Sequence, residues 1–170
     1  MKIMAEDIKL TQAEIDYATD HWGWSEEYKK LVVPKFTPFQ KRFIKNLRTF
    51  FDYKIIMEVV ESNHCARRAE PGHKSVFGAI GVFLPEESTF PGGGFCTWSL
   101  TIMLPFLQLV YDHICAGIDP TPMGQDLVRC PDIEPEKGGT GSVLYRIYCI
   151  KEPVHVRSDT YRENFQKQLD

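Results

Sequence analysis

The residue of this chain best placed for chemistry is a cysteine in a glycine-rich segment. Cys96 lies in residues 91–98, where three consecutive glycines come just before a segment with helical periodicity. A helix N-terminus favours negative charge, so a cysteine at this point has its thiolate stabilised. The glycines free the backbone to point amides inward, so we expect Gly93 and Gly94 to form an oxyanion or carboxylate cradle beside the thiol, with Trp98 also contacting the substrate. The alternative is a surface turn with a buried, inert cysteine.

A second thiol and a carboxylate follow a predicted strand in the sequence Cys130-Pro131-Asp132. We expect Cys130 and Asp132 to project toward Cys96 across the mouth of the sheet. Cys130 would then serve as a second thiol or ligand and Asp132 as an acid or base. The alternative is a turn that Pro131 stiffens, in which the aspartate accepts hydrogen bonds from local amides.

Residues 64–73 combine imidazole, thiol and guanidinium groups. Arg67 and Arg68 suit an anionic substrate, either a carboxylate or a phosphate, because a guanidinium binds such groups through paired hydrogen bonds. His73 is the predicted proton partner of Cys96.

Imidazoles and thiols are also the ligand types that zinc prefers, so a metal site is a third interpretation of the same residues. The candidate ligands of a zinc or iron ion are His64, His73, Cys96 and Cys130. Neither a C-x-x-C nor an H-x-x-x-H spacing occurs among them, and the cofactor stays open.

The elements that must position these residues change character near residue 52. Thr11 and Thr37 begin capping boxes and predict helices over 12–21 and 38–51, and Ser25 begins a short helix that Pro34 ends. A longer helix is expected from residue 97 to Gly117 as its C-cap, either kinked at Pro105 or divided there into a first turn and a main helix from 105. Runs rich in β-branched residues predict strands over 53–62, 75–84, 125–130 and 142–150.

This order predicts one α+β domain, with a small, mainly antiparallel sheet packed by one long helix. Residues 1–52 form an N-terminal helical layer of the same domain and residues 53–152 its core. Residues 153–170 are a polar tail, in which Tyr161 and Phe165 are spaced as on one face of a short helix.

The aromatic residues of the helix at 38–51 follow a helical spacing. Phe39, Phe43, Leu47 and Phe50 recur at intervals of four, four and three. This stripe should dock on the rest of the protein, or form the interface of a homo-oligomer with exposed phenylalanines in the isolated monomer.

The composition is that of a soluble globular protein. The 170 residues are 43% hydrophobic and 25% charged, and the net charge is −3, which provides no general attraction for nucleic acid or an anionic membrane. Because no apolar run is long enough to span a bilayer, we expect a cytoplasmic protein. The five cysteines are an odd number without framework spacing, so they are predicted to be free thiols or ligands rather than disulfides.

The order of these motifs resembles a family of uncharacterised bacterial and archaeal proteins with a cysteine-containing, sometimes repeated domain. The resemblance covers the roughly one hundred residues from 53 to 152, through Cys65, Gly72, the Gly-Phe-Cys-Thr-Trp segment at 94–98 and the Cys-Pro-Asp segment at 130–132. In that family, the latter usually continues with glycine and an Arg-Pro pair, which this chain lacks. The resemblance implies a shared set of Cys96, Cys130 and Asp132 but no established activity.

Three functions stay open from the sequence. The first is a small enzyme that uses Cys96 as nucleophile or acid/base on a small anionic or aromatic substrate, with lyase, isomerase or hydrolase chemistry, because neither G-x-G-x-x-G nor a Walker sequence occurs. The second is a non-catalytic accessory or small-ligand-binding protein, and the third is a metal-site protein.

Overall fold

The computed structural model describes residues 8–92 and 94–154, and the predicted tail helix with Tyr161 and Phe165 lies outside these ranges. The helices are α1 (Gln12–His21), α2 (Glu26–Val32), α3 (Pro38–Asn46) and α4 (Leu100–Cys115). The strands are β1 (Tyr53–Asn63), β2 (Lys74–Gly78), β3 (Gly124–Arg129) and β4 (Ser142–Lys151). The predicted α+β class is confirmed, with one antiparallel sheet in the order β2-β1-β4-β3.

The first helices begin where the sequence places their caps. The Thr11 side chain accepts a hydrogen bond from the Glu14 amide, and the Glu14 side chain accepts one from the Thr11 amide. Thr37 and Gln40 repeat this capping box at the start of α3. Each box satisfies two amides that a helix start leaves unpaired.

The helix predicted over 38–51 changes type midway, because α3 ends at Asn46 and a 3₁₀ helix, Leu47–Asp52, leads into β1. The aromatic stripe turns mostly inward. Phe50 is fully buried and Phe43 partly buried, whereas Phe39 is 51% exposed. The exposed three-phenylalanine patch expected of an oligomer interface is therefore wrong for Phe43 and Phe50, which dock on this chain's own core.

The long antiparallel pair of β1 and β4 forms the centre of the sheet. Its inward face is lined by Ile55, Met57 and Val59 of β1 and by Val143, Tyr145, Ile147 and Cys149 of β4, all buried. Against them pack Met103, Phe106, Val110 and Ile114, the buried face of α4. Helix and sheet thus enclose one apolar core, as the alternation of β4 and the periodicity of α4 predict.

The strand predicted over 75–84 ends early, at Gly78. The chain turns there, with the Gly81 amide donating to the Gly78 carbonyl and Gly81 at φ +94°, a conformation that favours glycine. Phe83 then returns to form a single bridge with Phe77. The two glycines mark a turn rather than a weakened strand.

The helix predicted from residue 97 begins as a short 3₁₀ turn, Thr97–Ser99, and continues as α4 through Pro105 without a division. It ends in a Schellman motif, in which Ile118 donates to the His113 carbonyl and Gly117, at φ +72°, donates to that of Ile114. No helix in residues 8–92 and 94–154 has the length and apolar character needed to cross a membrane.

Replacing Phe50 by alanine should destabilise the fold by about 3–5 kcal/mol, because a fully buried ring leaves a cavity between the 3₁₀ helix and the core. Phe39→Ala is the matched control and should cost about 1 kcal/mol or less, since that ring is half-exposed. Urea unfolding of the two variants measures the difference. Equal losses would contradict the inward docking of the stripe.

Candidate functional site

Four separate segments meet around a cavity of about 330 Å³ at one end of the sheet. They are the loop after β1, the start of the long helix, the exit of β3 and the first residues of β4 with the loop before them. Together they bring three of the five cysteines, Cys65, Cys96 and Cys130, to one surface. The lining residues are Cys65, Ala66, Arg67, Phe95, Cys96, Thr97, Trp98, Cys130, Asp132, Thr140, Gly141, Ser142, Val143 and Tyr145.

Cys96 occupies the N-cap position of the turn that begins the long helix, in an extended conformation. Its carbonyl accepts hydrogen bonds from both the amide and the hydroxyl of Ser99, at 3.0 and 2.6 Å. Its sulfur makes no capping hydrogen bond, so the half-buried thiol is left to line the cavity. The predicted position of Cys96 at a helix start is therefore observed, and its chemical role stays a prediction.

Tyr145 holds this helix start against the sheet. Its ring is 1% exposed, and its hydroxyl shares a hydrogen bond with the side chain of Ser99. Burial raises the pKa of Tyr145 far above its ordinary value, and the charges of the nearby thiols of Cys130 and Cys96 raise it further. The phenol is thus neutral and positions the helix start, because Ser99 in turn binds the Cys96 carbonyl.

Cys130 lines the cavity and is only 6% exposed. Its amide donates to the Val143 carbonyl at 2.8 Å, which fixes the end of β3 beside β4. Burial raises the pKa of the Cys130 thiol, a hydrogen bond from the Asp132 amide lowers it, and the charges of Cys96, Asp132 and Cys65 raise it. A thiolate at Cys130 is therefore disfavoured while a neighbouring thiol is charged.

The Asp132 carboxylate also reaches the cavity, as predicted, but its oxygens are engaged by Thr140. One oxygen accepts from the Thr140 amide at 3.2 Å and the other from the Thr140 hydroxyl. Both hydrogen bonds lower the pKa of Asp132, and the one from the Thr140 hydroxyl has the larger effect. The carboxylate is therefore ionised at neutral pH, which suits fastening the loop between β3 and β4 better than the acid or base role predicted for it.

The loop after β1 brings Cys65 and Arg67 to the cavity through an unusual backbone. His64 and Arg68 on either side of them have φ of +51° and +55°, a left-handed conformation uncommon outside glycine. The Arg68 amide closes the turn on the Cys65 carbonyl at 2.8 Å. Arg67 also lines the cavity, and it donates to the Pro91 carbonyl at 3.4 Å through one of its five guanidinium N–H donors.

Two glycines in the loop before β4 allow these segments to approach. A Cβ on Gly141 would lie 2.4 Å from the His64 carbonyl oxygen, and one on Gly139 would lie 1.5 Å from that of Ile133. Gly141 also has φ of +141°. The rim of the cavity is therefore built on close backbone contacts that no other residue permits.

Three of the remaining predicted residues, His73, Arg68 and Gly94, do not line the cavity. His73, the predicted proton partner of Cys96, instead accepts a hydrogen bond at its Nδ1 from the Glu70 amide at 3.0 Å in the turn before β2. Arg68 and Gly94 are likewise absent from the lining, and an added Cβ on Gly94 would meet nothing nearer than 3.9 Å. Gly93 lies outside the described residues. Trp98 does line the cavity, at its rim, and is 65% exposed.

The predicted metal site is not assembled, because His64 and His73 lie away from the cavity that Cys96 and Cys130 share. In the described part of the chain, no three histidine, cysteine, aspartate or glutamate side chains are grouped so that they could hold a metal ion. His64 is exposed, with its carbonyl packed against Gly141.

Several cavity residues were not predicted from the sequence. Thr140, Ser142 and Tyr145 come from the start of β4 and the loop before it. Tyr145 was expected only as one of the alternating residues of its strand. The Gly-Gly-Thr-Gly-Ser run at 138–142 marks a tight loop, and its small polar residues are the one sequence feature that points to this wall.

The five thiols should differ in reactivity according to their place in the fold. Burial raises the pKa of Cys115 to about 11 and that of Cys149 to about 12. At pH 8, on the order of one in a thousand or fewer of these two thiols is therefore ionised. Iodoacetamide should modify Cys65 and Cys96 first, at least about 100-fold faster than Cys115 and Cys149.

Peptide mapping over a time course measures these rates, and protein unfolded in guanidinium provides the control in which all five react alike. Modification of Cys115 or Cys149 as fast as Cys96 would contradict the structure.

Gly141→Ala should disrupt the cavity, because the new methyl group collides with the His64 carbonyl. Gly138→Ala is the matched control, since Gly138 also has a positive φ, +88°, but a Cβ there meets nothing within 4 Å. The control should lose about 1–2 kcal/mol of stability, and Gly141→Ala distinctly more. Denaturant unfolding measures the loss of stability, and the alkylation rate of Cys65 measures the disruption of the cavity. Equal results for the two variants would show that the close contact does not matter.

Comparisons with known proteins do not indicate a function for this chain. A scan against protein-family models, a search of curated proteins and a search of solved structures each found no match to this chain. The resemblance of the Cys96 and Cys130 motifs to a cysteine-containing family accordingly stays a prediction. The groups around the cavity that can carry chemistry are three thiols, one guanidinium and one carboxylate.

Proposed function

We propose that the cavity binds a small organic anion and that Cys96 acts as a nucleophile on an electrophilic carbon of this ligand. The observation that carries the proposal is that Cys96 and Arg67 line the same cavity, with the thiol half-buried and accessible. A volume of about 330 Å³ suits a molecule of metabolite size.

The wall of the cavity favours a ligand that is planar as well as charged. Phe95, Trp98 and Tyr145 supply aromatic surface, and Arg67 supplies the one cationic side chain among the described lining residues. An anionic group would bind the spare donors of the guanidinium, while the flat part of the ligand lies against the rings. This combination supports a small aromatic or unsaturated carboxylate as the substrate class.

Few side chains of the cavity can donate or accept a proton, and this limits the reactions that it can support. Among the described residues that line the cavity there is no histidine, and the Asp132 carboxylate has a lowered pKa and engaged oxygens. Cysteine is the nucleophile least dependent on a dedicated base, because part of its population ionises by itself near neutral pH. Attack by Cys96 on a carbonyl carbon forms a C–S bond and moves the π pair to oxygen, which takes a proton from solvent, while the thiol proton leaves to solvent.

Two alkylating agents of the same size test this proposal without knowledge of the natural substrate. Iodoacetate is anionic and iodoacetamide neutral, and each transfers its carbon to sulfur with loss of iodide. Arg67 should raise the rate ratio of iodoacetate to iodoacetamide at Cys96, and Arg67→Gln should lower this ratio about fivefold, the effect of about 1 kcal/mol of charge interaction. The measurement is peptide mapping of Cys96 over a time course.

Arg68→Gln provides the matched control, because Arg68 is adjacent in sequence but does not line the cavity. It should leave the ratio within about a factor of two of the unmodified protein. The proposal fails if Arg67→Gln and Arg68→Gln behave alike. Protection of Cys96 by benzoate in the unmodified protein, and not in Arg67→Gln, would support the aromatic carboxylate class.

The second candidate is a ligand-binding protein without turnover, which the lack of a histidine among the described lining residues favours. Calorimetric titration with a ligand found by such protection separates the two candidates. Under both candidates, Cys96→Ser should retain full affinity and turn over no ligand. The deciding result is therefore whether the unmodified protein converts the bound ligand.

A further inference from the structure

The three thiols of the cavity differ in burial. Cys65 and Cys96 are half-buried, and Cys130 is 6% exposed. The proposed nucleophile needs only one thiol, so a buried second thiol at the same cavity is a group that the proposed function does not use. Two thiols that can meet across a cavity are the minimum required for reversible disulfide chemistry.

Cys96 is an accessible thiol that can react first. It is half-buried in the cavity lining, at the start of the turn that leads into α4, and its sulfur makes no capping hydrogen bond. Cys130 is buried at the end of a strand, and a low-dielectric position keeps its sulfur as the neutral thiol.

Cys96 is also the closer electrostatic neighbour of Cys130. Its charge raises the pKa of the Cys130 thiol more than the charge of Cys65 does, although burial is the largest cause of the shift. Cys65 is held in a loop whose turn is closed by the Arg68 amide. Of the two half-buried thiols, the one that acts more strongly on Cys130 therefore comes from the helix start.

We propose that Cys96 and Cys130 form a reversible disulfide when the protein meets a hydroperoxide, and that this bond closes the cavity to its ligand. The inference rests on the proposed function in that Cys96 is the reactive thiol in both. The Cys96 thiolate attacks one peroxide oxygen, so an S–O bond forms, the O–O bond breaks and hydroxide leaves. Cys130 then attacks the sulfur of the sulfenic acid, an S–S bond forms, and the oxygen leaves as water with the thiol proton.

The balance of the sequence is two thiols and one hydrogen peroxide giving one disulfide and two waters, with the peroxide reduced by two electrons. The disulfide removes the free sulfur on which the proposed ligand chemistry depends. A thiol reductant reverses it, because exchange through a mixed disulfide regenerates both thiols.

The test is non-reducing peptide mapping of the unmodified protein after treatment with one equivalent of hydrogen peroxide. The Cys96–Cys130 cross-link should exceed the Cys65–Cys96 and Cys65–Cys130 cross-links roughly tenfold, and alkylation of Cys96 should fall by a similar factor until dithiothreitol restores it. Cys65→Ser should leave this pattern unchanged. A dominant bridge to Cys65, or no bridge in the unmodified protein, overturns the proposal.

Cys130→Ser supplies a second readout, because a sulfenic acid at Cys96 then has no Cys130 thiol to meet. Dimedone should label Cys96 in this variant several-fold more than in the unmodified protein, and equal labelling counts against the proposal. Far-ultraviolet circular dichroism checks that the variant is folded, and the mapping of the unmodified protein decides if it is not. A Cys96–Cys130 bridge without any effect of Arg67 on the iodoacetate preference would remove the proposed anion site and leave the disulfide standing.

Discussion

The antiparallel pairing of β1 with β4 is the constraint on which both the core and the cavity depend. Its register sets Val59 opposite Tyr145 and Ser62 opposite Val143, with a bulge of β1 between them. Strand side chains alternate between the two faces of a sheet, so the extra residue of the bulge changes which residues of β1 face inward. The bulge also bends the strand before it reaches the Cys65 loop. A slip of one residue would turn every buried side chain of β4 outward and separate the walls of the cavity at the same time.

The pairing of β1 with β4 also explains why the cysteines of this sheet lie in two different environments. Cys149 lies opposite Ile55 in the middle of the core, and burial raises its pKa to about 12. Only a few residues away, β4 begins at the cavity and holds Cys130 through the Val143 carbonyl. Distance along the strand from the helix-covered core therefore decides whether a cysteine is a small apolar side chain or a group that can meet a ligand.

Local chemistry made the helix starts predictable, since caps act over a few residues. Thr11 and Thr37 both cap as expected, and both segments that carry thiol motifs reach one cavity. His73 does not line the cavity because its Nδ1 accepts from the Glu70 amide in its own turn, and sequence alone does not show which way a loop faces. The wall from β4 was missed for the same reason: the Gly141–His64 contact joins residues far apart in the chain.

The charges around the cavity limit what it can hold at one time. Asp132 keeps its negative charge because Thr140 binds it, and the charges of Cys96 and Cys65 oppose ionisation of Cys130. Cys130 therefore stays a neutral thiol while a neighbouring thiol is charged. Arg67 is the one cationic side chain among the described lining residues to offset these charges. The described lining thus combines one carboxylate kept negative by Thr140, one guanidinium and one buried thiol that resists ionisation.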